Sequence, residues 1–135
     1  MATLTIPNRV ESVRRATAFL VQAARALNVP AAAEPVFEVA VSEALTNAVR
    51  HGRGKRPDAT ITCDIHLEGR QLTLRIIDGG AGFEVPPHRL PDVSRQRLET
   101  IPERGYGLPI IQTVFPIVRV IKVGDEYGVE LGLNY

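Results

Sequence analysis

The sequence predicts an α+β fold: a two-layer α/β sandwich in which a mostly antiparallel sheet carries helices on one face. Three observations predict it. Two long stretches repeat apolar residues at helical spacing, later stretches alternate apolar and polar residues with period two, and those strand-like stretches come largely in consecutive pairs. The regular strand-helix-strand alternation of a doubly wound parallel sheet is absent.

The first element, "TLTIP", alternates like a short edge strand and ends at Pro7. "NRVESVRRATAFLVQAARALNV" then opens with Asn8 as a cap and carries Val13, Ala16, Phe19, Leu20, Ala23, Ala24 and Leu27 at helical spacing, before Pro30 stops it. A second helix runs from about Ala33 to His51. Pro35 is tolerated in its first turn, and Gly52 stands where a left-handed C-terminal cap belongs. "GRGKRPD" follows as a loop.

"ATITCDIHL" and "QLTLRIID" alternate around the turn "EGR", the pattern of a β-hairpin with one face on a core, and the second strand ends at Asp78. From Phe83 to Arg104 the sequence is irregular and includes Pro86, Pro87, Pro91 and Pro102. A connection of roughly 20 residues is unusual inside a domain and is most often functional. "GYGLPIIQTVF" is a short helix with Pro109 near its start, and "IVRVIKV" and "GVELGLNY", joined at "GDEY", make a closing hairpin.

The 135 residues, 44% hydrophobic and 23% charged, suit one domain over 1–135, without linkers or repeats. A net charge of +1 gives no footprint for nucleic acid or a membrane surface. Cys63 is the only cysteine, so an internal disulfide is impossible, and its strand position reads as a buried apolar residue rather than a nucleophile. No apolar run reaches about 18 residues and no signal peptide is evident, so the expectation is a cytoplasmic protein.

Within the second helix, "SEALTNAVRHG" spaces Glu43, Asn47 and His51 four apart, which stacks them in one polar row beside the apolar stripe. Asparagine is a mediocre helix former, so Asn47 in mid-helix needs a reason. Either it bonds a neighbouring loop at the edge of the core or it serves a ligand; the helix alone leaves both open. Two glycine clusters bracket the irregular segment: "DGGAGF", Asp78 to Phe83, and "RGYGLP", Arg104 to Pro109. Each reads as an ordinary turn or as a place where backbone approaches a phosphate.

Together, the polar row, the Asp-x-Gly-x-Gly loop and the Gly-x-Gly-Leu helix start resemble the three ATP-binding boxes of the Bergerat-fold superfamily of gyrase-type, chaperone-type and histidine-kinase-type ATPases. The match to "SEALTNAVRHG" is most similar to the small anti-sigma-factor serine/threonine kinases of the RsbW and SpoIIAB type, and the resemblance spans nearly the whole chain.

The resemblance implies ATP and Mg²⁺ as cofactors. Asn47 would ligate the metal through its carbonyl oxygen, and Glu43 would be the general base for an attacking hydroxyl. Asp78 would accept from the adenine amine, with Gly80 and Gly82 letting the chain pass the nucleoside. Gly105, Gly107 and Leu108 would bring backbone N–H groups to the phosphates, Arg104 would pair with the terminal phosphate, and the segment 83–104 would be the ATP lid. His51 reads as a helix-terminal histidine rather than a catalytic one; Tyr106 reads equally as a lid or a nucleotide contact.

Two features depart from the family pattern. Val129 stands where members usually carry the threonine of a Gly-Thr pair, and the lid is rich in proline rather than in glycine and serine. By resemblance the partners are a sigma factor, sequestered, and a STAS-type anti-sigma-factor antagonist, phosphorylated; nucleic acid is not contacted directly. A homodimer through the N-terminal strand and first helix is also implied. The competing expectation is a nucleotide-dependent switch that binds partners without catalysis.

Overall fold

A computed structural model describes residues 1–52, 58–78 and 107–135. In chain order the elements are β1 (Ala2–Pro7), α1 (Val10–Ala26), a 3-10 turn (Pro30–Ala33), α2 (Pro35–Gly52), β2 (Thr60–Glu68), β3 (Gln71–Asp78), α3 (Gly107–Val114), β4 (Ile117–Val123) and β5 (Glu126–Asn134). The five strands form one sheet in the order β1-β2-β3-β5-β4 with every pairing antiparallel. The α+β architecture is as the sequence predicts, and β1 is an edge strand.

Helix α1 buries Ala16, Thr17, Leu20, Val21 and Ala24, a stripe at spacings of three and four. Its N-cap is Arg9, with no side-chain cap bond, rather than Asn8. Asn8 is instead buried at the strand end, where its N–H donates to the Ala59 carbonyl at 2.9 Å. The stripe also stops one turn short of Leu27, which is 37% exposed and caps the helix. The chain reverses at Asn28, at φ 62°, whose N–H donates to Arg25 O while that of Val29 donates to Ala24 O. These two bonds and the buried Val29 make a Schellman ending, with asparagine in the left-handed position. Arg25 Nε then donates to Ala32 O at 2.9 Å and holds the 3-10 turn against α1.

Proline suits the first helical position because its missing N–H would have no helical partner there, and α2 starts at Pro35. Phe37, Ala40, Val41, Ala44, Leu45 and Val49 are its buried face. Phe37 meets Phe115, just beyond α3, with ring centroids 5.4 Å apart and planes tilted by 53°. Helix α2 packs against both α1 and α3, which makes it the middle one of the three described α-helices.

On the sheet, Ile6, Ile61, Cys63, Ile65, Leu72, Leu74, Ile76, Leu131 and Leu133 join the helices in one core. They occupy alternate strand positions, so a single face of the sheet is covered by the described helices. Both hairpins turn through two residues whose first is a glycine at φ 62°, Gly69 and Gly124. Because Gly124-Asp125 alone makes the second turn, β5 begins at Glu126, two residues before the alternating segment "GVELGLNY".

The opposite face carries a row of charges, one rung across the sheet: Asp64 on β2 pairs in register with Arg75 on β3, Arg75 with Glu130 on β5, and Glu130 with Arg119 on β4. Arg75 Nε lies 3.3 Å from Glu130 Oε2, and Arg119 Nε lies 4.0 Å from Glu130 Oε1.

Candidate functional site

The candidate site is built on the C-terminal half of α2. Each i to i+4 step on a helix advances about 40° around the axis. The Glu43, Asn47, His51 row therefore winds along one flank of α2 beside the buried stripe. Glu43 and Asn47 are both half-buried. His51 lies in the last turn, and its side chain is outside the described residues.

The other flank of α2 faces α1. Glu38, Ser42, Thr46, Val49 and Arg50 line a cleft of about 610 Å³ between those two helices, and neither Glu43 nor Asn47 is part of it. The cleft is thus distinct from the polar row. Thr46 spends its hydroxyl on the Ser42 carbonyl at 2.8 Å, a bond within the helix that leaves nothing to offer a ligand as donor. Asn47 makes no hydrogen bond to a described side chain, and its amide oxygen is the kind of hard donor that suits Mg²⁺. Among the described residues no group of three His, Cys, Asp or Glu side chains could cage a metal. An ion held by Asn47 would draw its other ligands from phosphate and water.

Asp78 is the last residue of β3, and its backbone forms the final rung with Ile61 on β2. One residue earlier, Ile77 pairs with Gly128 on β5. Gly128 has no room for a side chain, since a Cβ there would lie 2.5 Å from the Ile76 carbonyl oxygen. Val129 pairs with Ile76 and Val120 and packs, half-buried, on the helix side of the sheet. Gly107 and Leu108 open α3, with Pro109 next in its first turn. Gly80, Gly82, Arg104, Gly105, Tyr106 and the lid segment 83–104 lie outside the described residues. The structure thus places Glu43 and Asn47 on one flank of α2, Asp78 at a strand end, and Gly107 with Leu108 at a helix start.

Cys63 is buried, and burial first, then the neighbouring Asp64 carboxylate, pushes its thiol up to about 12, so it is no nucleophile. Burial shifts the Asp64 carboxyl upward from its ordinary value, against the lowering pull of Arg75 and His66 and with a smaller upward push from Glu130. Nothing in the strand sequences singles out Asp64, Arg75, Arg119 and Glu130, which are ordinary polar positions of a period-two pattern. Only the register gathers them into a row.

Residues 6–131 match the family described as the histidine kinase-like ATPase domain. The chain is 30% identical over 87 residues to a serine-protein kinase RsbW of Listeria innocua, covering 62% of this chain and 55% of that protein. It is 27% identical over 101 residues to the RsbW of Oceanobacillus iheyensis, covering 73% and 62%. An anti-sigma F factor of Clostridium acetobutylicum is 30% identical over 91 residues, covering 67% and 60%. Matched segments thus span between 55% and 62% of these relatives. Among solved structures, the catalytic domain of the histidine kinase ThkA superposes with a TM-score of 0.52 at 11% identity, covering 99% of this chain and 96% of that one, a likeness of fold.

Proposed function

The chain belongs to the histidine kinase-like ATPase domain family, and on that premise we propose that it is an anti-sigma regulatory factor with ATP-dependent protein serine/threonine kinase activity. It sequesters a sigma factor and phosphorylates a STAS-type antagonist of that sequestration. The observation that carries the reading is the pairing of Glu43 and Asn47, half-buried and one turn apart on the same flank of α2, within the segment that matches the family. Similarity to proteins named RsbW and anti-sigma F factor supports the substrate and partner classes.

Mg²⁺, when bound, neutralises triphosphate oxygens, and Asn47 is the residue that would hold it. Glu43 takes the proton of the substrate hydroxyl as its oxygen attacks the terminal phosphorus; the bond to the bridging oxygen breaks and ADP leaves. Asp78 reads the adenine amine, Gly80 and Gly82 admit the nucleoside, and Gly105, Gly107 and Leu108 offer N–H groups where α3 begins. By resemblance, Arg104 pairs with the terminal phosphate and the segment 83–104 is the ATP lid. One domain over 1–135 carries the whole site. No helix among the described residues is long and apolar enough to cross a membrane, and the regulatory role proposed here places the chain in the cytoplasm.

Calorimetric titration with Mg·ATP tests the nucleotide site. Saturable binding by the wild type, lost in Asn47→Ala and Asp78→Asn, is expected; a wild type that does not bind overturns the reading. Glu43→Ala should keep binding while abolishing phosphate transfer to a STAS-domain substrate. Val129 favours a second reading, a nucleotide-dependent partner switch without catalysis. Under that reading the wild type binds Mg·ATP but labels no serine or threonine.

A further inference from the structure

We propose, resting on the kinase reading of Glu43 given above, that Val36 and Val39 on the N-terminal half of α2 are a docking patch for the protein substrate. They receive an apolar side chain close to the hydroxyl that Glu43 deprotonates, from a segment that also carries a basic residue. Val36 is 42% exposed and Val39 46%, and neither packs against the core. Valine suits such positions poorly, because its branched Cβ loses rotamer freedom in a helix and an exposed side chain recovers nothing by burial. On a helix the step from Val36 to Glu43 returns to within about 20° of the same direction and that from Val39 to within about 40°, so the three share one flank, the valines lying about 10 and 6 Å before the carboxylate along the axis. Pro35, also exposed, adjoins Val39 by the same four-residue step.

The occupant follows from the two ends of this flank. Asn47, one turn after Glu43, holds the metal and triphosphate in the same reading, so the nucleotide takes the C-terminal half of α2 and a protein hydroxyl reaches Glu43 from the N-terminal side. The residues next to that hydroxyl then lie over Val39 and Val36. An extended segment rises about 3.3 Å per residue, which sets its apolar side chain about two or three residues from the hydroxyl. Charge gives the rest of the segment's chemistry. Between Arg25 and Arg50 the chain has Glu34, Glu38 and Glu43 and no Lys or Arg. Glu34 and Glu38 are exposed at the edge of the patch, where Glu38 also borders the cleft with α1. A segment with a basic residue beside its apolar one is therefore attracted here, and an acidic segment is repelled.

Short peptides with a single serine, each neighbouring position varied in turn, test the proposal on the full chain with two readouts: phosphate transfer from Mg·ATP, and fluorescence anisotropy of the labelled peptide in the presence of a non-hydrolysable ATP analogue. The wild type should prefer Leu, Ile or Phe about two or three residues from the serine, with Arg or Lys adjoining. In a double variant, Val36→Gln with Val39→Gln, that preference should vanish and KM should rise about tenfold with kcat kept. Glutamine is the better helix former and both positions are exposed, so the unfolding midpoint and the affinity for Mg·ATP should hold. A fall in that affinity would show that the valines serve the nucleotide and would overturn the proposal. Transfer without an apolar preference, or with one that the double variant retains, overturns the docking patch and leaves the kinase reading standing. Apolar-dependent peptide binding that the double variant loses, without transfer in the wild type, supports the patch and overturns the kinase reading. Neither binding nor transfer overturns the patch.

Discussion

Arg75 and Glu130, separated by 55 residues in the chain, lie directly opposite each other on β3 and β5 with 3.3 Å between Nε and Oε2. The carboxylate is the more buried partner, 18% exposed against 40% for the guanidinium, and it also draws Arg119. Removing its charge leaves two arginines flanking an uncharged position. Glu130→Gln should therefore lower the unfolding free energy by about 1 kcal/mol in low salt and by less in high salt. Urea titrations with Arg75→Ala in a double-mutant cycle would measure the coupling, and no coupling at low salt would contradict it.

The left-handed Asn28 makes a second prediction. An alanine there must hold φ 62° against its own Cβ, whereas glycine holds it freely. Asn28→Ala should cost about 1 kcal/mol in thermal or urea unfolding, and Asn28→Gly should be neutral or stabilising by a few tenths.

At Gly128 the constraint is space rather than torsion. A methyl group there would press on the Ile76 carbonyl oxygen at 2.5 Å and the Ile77 Cα at 2.9 Å, both backbone atoms. Gly128→Ala should destabilise by roughly 3 kcal/mol or more, or prevent folding, because the central β3–β5 pairing must shift to accept it.

Cys63 should be inert to a thiol reagent at pH 8 in the native state and react fully in denaturant, since its thiol is buried and raised to about 12. The sign of its pH effect follows. The unfolded thiol ionises near 8.5 while the folded one stays protonated, so the unfolded state binds fewer protons and stability falls as pH rises from about 8.5 toward 12. Urea midpoints compared between wild type and Cys63→Ala over that range should show the alkaline decline reduced in the variant.

What the sequence reveals here is what repeats locally. The apolar spacing of α1 and α2 and the alternation of β2 and β3 announce those elements because one helix face or one sheet face must be buried. Glu43 and Asn47 are legible for the same reason, since four-residue spacing fixes their stacking without reference to the rest of the fold. Features set by one residue's torsion or by distant pairing are not legible in this way. Asn28 looks like an ordinary polar residue, yet its positive φ ends α1 at Ala26, ahead of the Pro30 that the sequence offers as the stop. The Asp64 to Arg119 rung depends on four strands whose register no single segment encodes. Of the residues assigned to the nucleotide by resemblance, Gly80, Gly82, Arg104 and Gly105 fall outside the described residues, so the sequence motif remains their basis.

The position of β5 between β3 and β4 has a consequence for how the protein is made. During translation β1, β2 and β3 emerge together and can pair, but β3 must wait for β5, the last strand of the five. Until then the edge of β3, with Leu72, Leu74 and Ile76 beside it, is an unpaired template in the nascent chain. Long-range pairing of this kind is slow and exposed to aggregation. Ribosome-bound chains that stop short of β5 should therefore be the species that chaperones hold.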